Sequence, residues 1–272
     1  MAKTAAKQVV PIKKGAVATN DAMSAAAKYA GKGISDRQED NVVPLVYLLQ
    51  SNSPQTQKGA EKYIKGATGG DIWLRNAPEG KNVFKSEDGM VFQPCHFSVC
   101  FIEWLPNRGG FVARHAARPE AAILVDVERE DGSTGKRWEM PSGNVIAESR
   151  EYSGFVYSDN EDDRAGDMPY TIPFGGTNLT VAKQFMTAMR NEKLPGGERA
   201  PLFANKYLVK TKLRSRGKFN WFVYEIEKIG PVGSVEEIER GNALADAFST
   251  GVKQSAAHEE SGDSGSTAEL ED

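Results

Sequence analysis

The stretch from Lys206 to Leu213 alternates: Lys206, Lys210 and Lys212 lead to Arg214 on one parity, and Tyr207, Val209, Thr211 and Leu213 occupy the other. Period two is the mark of a half-buried strand, because successive side chains leave a pleated backbone on opposite faces. Ser215-Arg216-Gly217 supplies a turn, since glycine tolerates positive φ. Phe219 to Ile226 returns as a second strand rich in aromatic and branched side chains. The segment is expected as a β-hairpin with a basic tip, and the rest of the chain has to accommodate it.

From Arg199 to Tyr224 there are seven basic residues and no acidic one, with Phe203, Tyr207, Phe219, Trp221, Phe222 and Tyr224 threaded among them. Cations interleaved with flat rings suit a single-stranded nucleic acid, whose phosphates need positive charge and whose unstacked bases need a π-face. Lys206, Lys210, Lys212, Arg214, Arg216 and Lys218 are the expected phosphate contacts. Tyr207, Phe219, Trp221 and Trp104, the last beside Arg114, are the expected stacking and rim residues. Trp221 shares its parity with Phe219 and is the first choice, while Phe222 and Tyr224 are assigned to the core. The structural alternative is an ordinary hairpin whose lysines guard an edge against aggregation.

At 272 residues, with 39% hydrophobic and 26% charged side chains, the chain is long enough for one large domain or two small ones. No apolar run approaches the roughly 20 residues that cross a bilayer. The basic, Ala-rich N-terminus lacks the continuous apolar core of a secretion signal, so a cytoplasmic location and no membrane partner are expected. Cys95 and Cys100 agree with a reducing compartment. Five residues apart on a strand they point to opposite faces, so no disulfide is expected. A zinc site from Cys95, His96, Cys100 and His115 matches no common finger spacing, and small buried residues is the better reading. No metal and no cofactor are expected.

The net charge of −3 is unevenly spread. Residues 258–272 hold Glu259, Glu260, Asp263, Glu269, Glu271 and Asp272 and no Lys or Arg. Without those six, 34 basic side chains face 37 less 6 acidic ones, so the remaining body is mildly basic. Residues 1–37 carry seven Lys or Arg against Asp21 and Asp36 and too little apolar content for a core. They are expected as a flexible basic arm, with a short helix over Asp21–Tyr29. Residues 38–233 form the body. Ser234-Val235-Glu236-Glu237 is a capping box that opens a helix over 234–250. Residues 251–272 are expected to be a disordered acidic tail.

Within the body, Pro44 and the apolar run behind it suit one or two buried helical turns. Strands are expected from Gly69 to Leu74, at Val83-Phe84, and over Met90–Leu105, Ala121–Val127, Glu151–Tyr157 and Met168–Phe174. Apolar residues on both parities of Met90–Leu105 imply burial on both faces, or one face offering rings to a ligand. In the loop Ser158–Asp167, Asp159, Glu161 and Asp163 suggest calcium, but glycine falls late at Gly166 and Tyr170 stands where the terminal Glu belongs. A solvated loop is expected there. The clearest helix starts at Thr177 or Asn178 as N-cap, with Leu179, Ala182, Phe185, Met186 and Met189 on one apolar face.

These elements predict a mainly β chain with α+β additions: an OB-fold-like Greek-key barrel with an inserted and a C-terminal helix, a jelly roll or other sandwich being the alternative. The layout resembles the single-stranded DNA-binding proteins of tailed bacteriophages, in which a β-barrel body bearing basic and aromatic residues precedes an acidic C-terminus. More locally, Pro44-Leu45-Val46-Tyr47-Leu48-Leu49-Gln50 with Ser53-Pro54, Gly70-Asp71-Ile72, Ile102-Glu103-Trp104 and Gly109-Gly110-Phe111-Val112 are similar to a group of phage proteins over about residues 43–230. The resemblance implies sequence-independent binding of single-stranded DNA in replication or recombination inside a bacterial host. It also implies a tail that competes with DNA and contacts replication proteins. The chain departs from that pattern by ending Glu269-Leu270-Glu271-Asp272, without a terminal aromatic. No catalytic role is expected. The enzyme alternative is a metal-dependent nuclease using Asp126 and Glu128 at a strand end. The other alternative is a virion or scaffold protein, and a homo-oligomer is compatible with each reading.

Overall fold

The computed structural model describes residues 42–77, 82–106, 109–128, 134–157 and 168–256. The basic arm, the acidic loop 158–167 and the acidic tail from residue 257 lie outside the described residues. The chain divides into two compact units at Arg37/Gln38, and the described residues all belong to the second.

The protein is mainly β. Its strands are β1 (Val42–Val43), β2 (Val46–Leu48), β3 (Ile72–Leu74), β4 (Val83–Phe84), β5 (Met90–Trp104), β6 (Phe111–His115) and β7 (Ile123–Glu128). They continue with β8 (Thr134–Glu139), β9 (Val145–Tyr157), β10 (Pro169–Gly175), β11 (Asn205–Arg216), β12 (Phe219–Pro231) and β13 (Gln254–Ser255). Among the described residues there are also two helices, α1 (Leu179–Asn191) and α2 (Val235–Ser249), and three short 3₁₀ turns.

The long strands β5 and β9 pair antiparallel from Val91↔Tyr157 to Trp104↔Val145. Each is long enough to serve two neighbours on its other edge. β5 carries β11 at Met90–Phe92 and β6 at Phe101–Trp104. β9 carries β10 over Ser149–Phe155 and β8 at Val145 and Ile146. The ladder shifts register between Pro94 and His96, leaving Cys95 as the extra residue of a β-bulge. Opposite the bulge, Gly154 approaches so closely that an added Cβ would stand 2.0 Å from the Gln93 carbonyl oxygen.

One face of this sheet holds the main core, with Phe92, Tyr152, Val156, Ile172, Phe174, Val209 and Tyr224 among its buried members. The apolar stripe of α1 covers it: Leu179, Ala182, Phe185, Met186 and Met189 are all buried, at the spacing a 3.6-residue period requires. Rings lock the contact, Phe185 meeting Tyr207 edge-on at 4.8 Å. The three-stranded sheet β2-β3-β4 adds Val46, Ile72 and Leu74. On the opposite face α2 lays Leu244 on Cys95 and Phe155. Ser234 caps it, Oγ accepting from Glu237 N at 3.2 Å, and the Glu237 carboxylate reaches back one residue past the N-cap to accept from Gly233 N at 2.7 Å, a capping box displaced by one position.

The outer edges of this half of the sheet are occupied without a further ladder. At β10, Thr171 N donates to Pro44 O at 2.9 Å. At β12, Phe222 N donates to Gln50 Oε1 at 2.8 Å and Gln50 Nε2 donates back to Phe222 O at 3.1 Å, so one carboxamide stands in for a neighbouring strand. Tyr224 N donates to Asn178 Oδ1 at 2.9 Å. The segment 42–50 thus spans the interval between β10 and β12, but the described strands form an open antiparallel sheet rather than a ladder closed on itself.

Three local expectations are corrected. Residues 42–48 are strands, not helical turns; a short continuous apolar run satisfies either period, and the β-branched pair Val42-Val43 before Pro44 favours extension. Asn178 occupies the N-cap position of α1 but makes no side-chain cap, because its carbonyl serves Tyr224. Residues 254–255 are ordered as β13, parallel to β1, with Ser255 Oγ 3.3 Å from Thr171 Oγ1.

The bulge makes a measurable demand. Gly154→Ala forces a methyl into the Gln93 carbonyl and should lower the urea-derived unfolding free energy by about 1–3 kcal/mol. Gly196→Ala, where nothing lies within 4 Å of the new methyl, should change it by less than about 0.5 kcal/mol.

Candidate nucleic-acid interface

β11 and β12 form one long hairpin whose loop is Gly217-Lys218, with Gly217 at φ 57°; the turn thus sits slightly later than Ser215-Arg216-Gly217. Pairing of β11 with β5 ends at Val209↔Met90, so from Lys210 onward the hairpin runs past the start of β5. Directly opposed residues of an antiparallel pair share a face. The register Lys210↔Glu225, Lys212↔Val223, Arg214↔Trp221 and Arg216↔Phe219 therefore collects four cations and two rings on one side. Lys218 joins them at the tip, its ammonium 5.2 Å from the Phe219 ring centroid. Among the described residues of the two strands, the face carries one acid, Glu225, which is paired with Lys212.

Arg214 is exposed and Trp221 half-buried. The Trp221 indole N–H is shielded and meets no acceptor among the described residues. An unmet donor of this kind is costly until a ligand or water supplies an oxygen.

The underside of the hairpin is clamped. Thr211 Oγ1 donates to Gly70 O at 2.6 Å. The Phe222 ring lies on Gly70, where φ is +94° and an added Cβ would stand 2.6 Å from the ring. Asp71, 1% exposed, accepts from Thr68 N at 2.9 Å and from Lys85 Nζ at 2.7 Å, which stiffens the seat. Gln50, Gly70 and Asp71 support the hairpin and were not among the residues expected at it. Their only signal was their place in the phage-like motifs, because the partners lie far along the chain.

Several expected contacts lie elsewhere. Tyr207 is core, at 3% exposure, and burial pushes its hydroxyl up to about 12. Lys206 is held by Glu237 at 2.6 Å and lies over the Tyr157 ring, on the α2 side of the sheet. Arg114 is the counter-ion of fully buried Glu151, at 2.7 Å, and this ion pair holds the guanidinium in its charged form. Trp104 packs edge-on against Phe111 at 6.2 Å. It lies roughly 40 Å along β5 from the hairpin pairing at Phe92, at about 3.3 Å per residue. Trp104 and Arg114 therefore do not share the hairpin's face. The tail carboxylates of Glu259, Glu260, Asp263, Glu269, Glu271 and Asp272 lie outside the described residues.

The cysteines and histidines do not converge. Cys95 and Cys100 are free and buried, each thiol pushed up to about 12, mainly by burial. Cys100 Sγ donates to Glu151 at 3.1 Å, and His96 stacks on Phe248 at 5.0 Å. His115 bonds Glu103 at 2.8 Å. Among the described residues no three metal-ligating side chains come together. Asp126 and Glu128 are exposed on β7, with Asp126 opposite Lys136.

The fold and its basic-aromatic arm define a mainly β protein with one projecting, cationic hairpin. Residues 13–257 match the family described as Pam3 phage gp34-like protein, and the chain belongs to that family. No curated protein and no solved structure matches the chain.

Two predictions separate frame from surface. Tyr207→Ala should cost about 3–5 kcal/mol of stability, as for other large-to-small core changes, whereas Trp221→Ala should leave the urea midpoint close to wild type. Glu103 provides a pH test. The Asn144 amide at 2.6 Å, with help from His115, holds the Glu103 carboxyl below its usual range despite burial. A depressed carboxylate contributes stability above its unfolded pKa and loses it as pH falls through the folded value. Glu103→Gln should therefore flatten the fall in stability between about pH 5 and pH 3, followed by urea titration at each pH.

Proposed function

We propose that this protein binds single-stranded DNA without sequence preference, in the replication or recombination of phage DNA, through the outer face of the β11–β12 hairpin. The observation that carries the reading is the cross-strand register, which sets Arg214 against Trp221 and Arg216 against Phe219 on one projecting face. Lys210, Arg214, Arg216 and Lys218 neutralise phosphates, and Lys212 joins them when a phosphate displaces Glu225. Trp221 and Phe219 offer rings to unstacked bases, each worth about 1–3 kcal/mol. The clamped underside lowers the ordering entropy paid on binding, since the strand meets a face already held in place. The acidic tail acts as a tethered competitor for the same cations and as the contact for replication partners.

A fluorescence titration of oligo(dT) against salt tests this. Wild type should show tryptophan quenching and a clear preference over duplex of equal length. Trp221→Ala should lose about tenfold in affinity, the value of one stacked base. Arg214→Ala should lower the slope of log K against log salt by about 0.7, the contribution of one phosphate contact to a single strand. Affinity unchanged in both variants would sink the assignment. Cleavage of the strand in Mg²⁺ that disappears with Asp126→Ala would replace it with a nuclease.

A further inference from the structure

A concavity lies between α1, α2 and residues 199–202, with a volume of roughly 430 Å³, and no residue of the hairpin lines it. Phe97, Met186, Met189 and Leu202 give it an apolar floor. Its rim carries two cations, Arg190 and Arg199. Arg199 Nε donates to the Arg190 carbonyl at 3.2 Å, which ties that guanidinium to the last turn of α1. Among the described residues neither arginine is in a salt bridge with a carboxylate. Arg190 relieves the dipole at the end of α1, and Arg199 Nε caps one of its last carbonyls; that bond uses Nε and not the terminal nitrogens of the Arg199 fork.

One wall is flat. His96 lines the pocket with its ring stacked on Phe248, at 10° between planes. Burial favours the neutral form of this imidazole, so the wall repels neither a base nor a sugar. Thioethers make favourable contacts with ring edges, and two methionines line the hollow. The volume falls in the usual range of small-ligand sites. Planar guanidinium forks match phosphate oxygens in pairs.

The geometry points to a binding site for a nucleoside monophosphate unit, with the base against Phe97 and the methionines and the phosphate on Arg190 and Arg199. The unit is either a free mononucleotide or the 5′-phosphorylated end of a strand. This site is separate from the hairpin and stands or falls without it.

Isothermal titration of the full chain with thymidine 5′-monophosphate tests the site, with thymidine, inorganic phosphate and decanoate as comparison ligands. The expected result is a dissociation constant below about 1 mM for the nucleotide, at least tenfold tighter than for each comparison ligand. Arg190→Gln with Arg199→Gln should weaken it at least tenfold, while Trp221→Ala leaves it within about twofold. Both arginines are exposed, and an unchanged melting temperature confirms that the double variant is folded. In the Trp221→Ala background, a 5′-phosphorylated oligo(dT) tetramer binding more tightly than the mononucleotide identifies a strand end as the ligand, and the reverse order identifies the free nucleotide. The proposal is overturned by absence of nucleotide binding, by equal binding of decanoate, or by nucleotide affinity that survives the double substitution.

Discussion

Gln93 is the residue on which the two layers of this protein turn. Its backbone carbonyl is the atom that Gly154 approaches at the β5 bulge, and its side chain is fully buried on the opposite side from the main core. The amide is satisfied from three directions. Gln93 Nε2 donates to Phe203 O at 2.9 Å and to Glu237 O at 3.3 Å, and Gln93 Oε1 accepts from Tyr157 at 2.6 Å. One polar group thus ties the sheet, the turn before β11 and the first turn of α2 together. A buried amide with every atom paired specifies a single arrangement, because a slipped register would leave it unpaired in an apolar setting. The start of the hairpin is set by that junction, since β11 begins two residues after Phe203.

The hairpin inherits this rigidity through its base and receives more from beneath. Gln50 lends β12 the hydrogen bonds that a neighbouring strand would make, and Asn178 does the same one pair further along. Both are side-chain amides, so they satisfy the edge without extending the sheet. The backbone beyond Lys210 is held on its inner side by Thr211, Phe222 and the Gly70 turn. On the outer side Arg214, Arg216 and Lys218 are exposed at the tip, while Val223 further down is buried. Exposed cations on a face held from beneath suit a strand-binding platform.

Much of this was legible locally. The bounds of β5, β10 and α1, the hairpin and the α2 capping box all rest on periodicity or capping within a few residues, and those signals hold whatever the tertiary setting. What escaped depended on partners distant in sequence. Parity could place Tyr207 off the basic face, but only the α1 ring of Phe185 makes it core. Arg114 looked like a free cation because Glu151, its counter-ion, comes 37 residues later. The first half of β9 was missed because Glu148 and Arg150 interrupt its apolar alternation; in the structure the two pair with each other. The 42–50 run was misassigned because a buried strand and a buried helical turn present the same apolar string.

The competing account of the hairpin is that its lysines only protect an edge. β11 does lose its β5 neighbour beyond Val209, and charge along that free edge would discourage pairing with another chain. That account explains Lys210, Lys212, Arg214 and Arg216 equally well. It does not explain what faces them. An edge guarded against association has no use for Trp221 and Phe219 opposite the two arginines, because partly exposed rings promote the contacts that the charges prevent. A surface that attracts a polyanion and then offers its bases a place to stack needs both kinds of side chain on one face. The register supplies that pairing on a segment that runs past the start of β5 and is held from below.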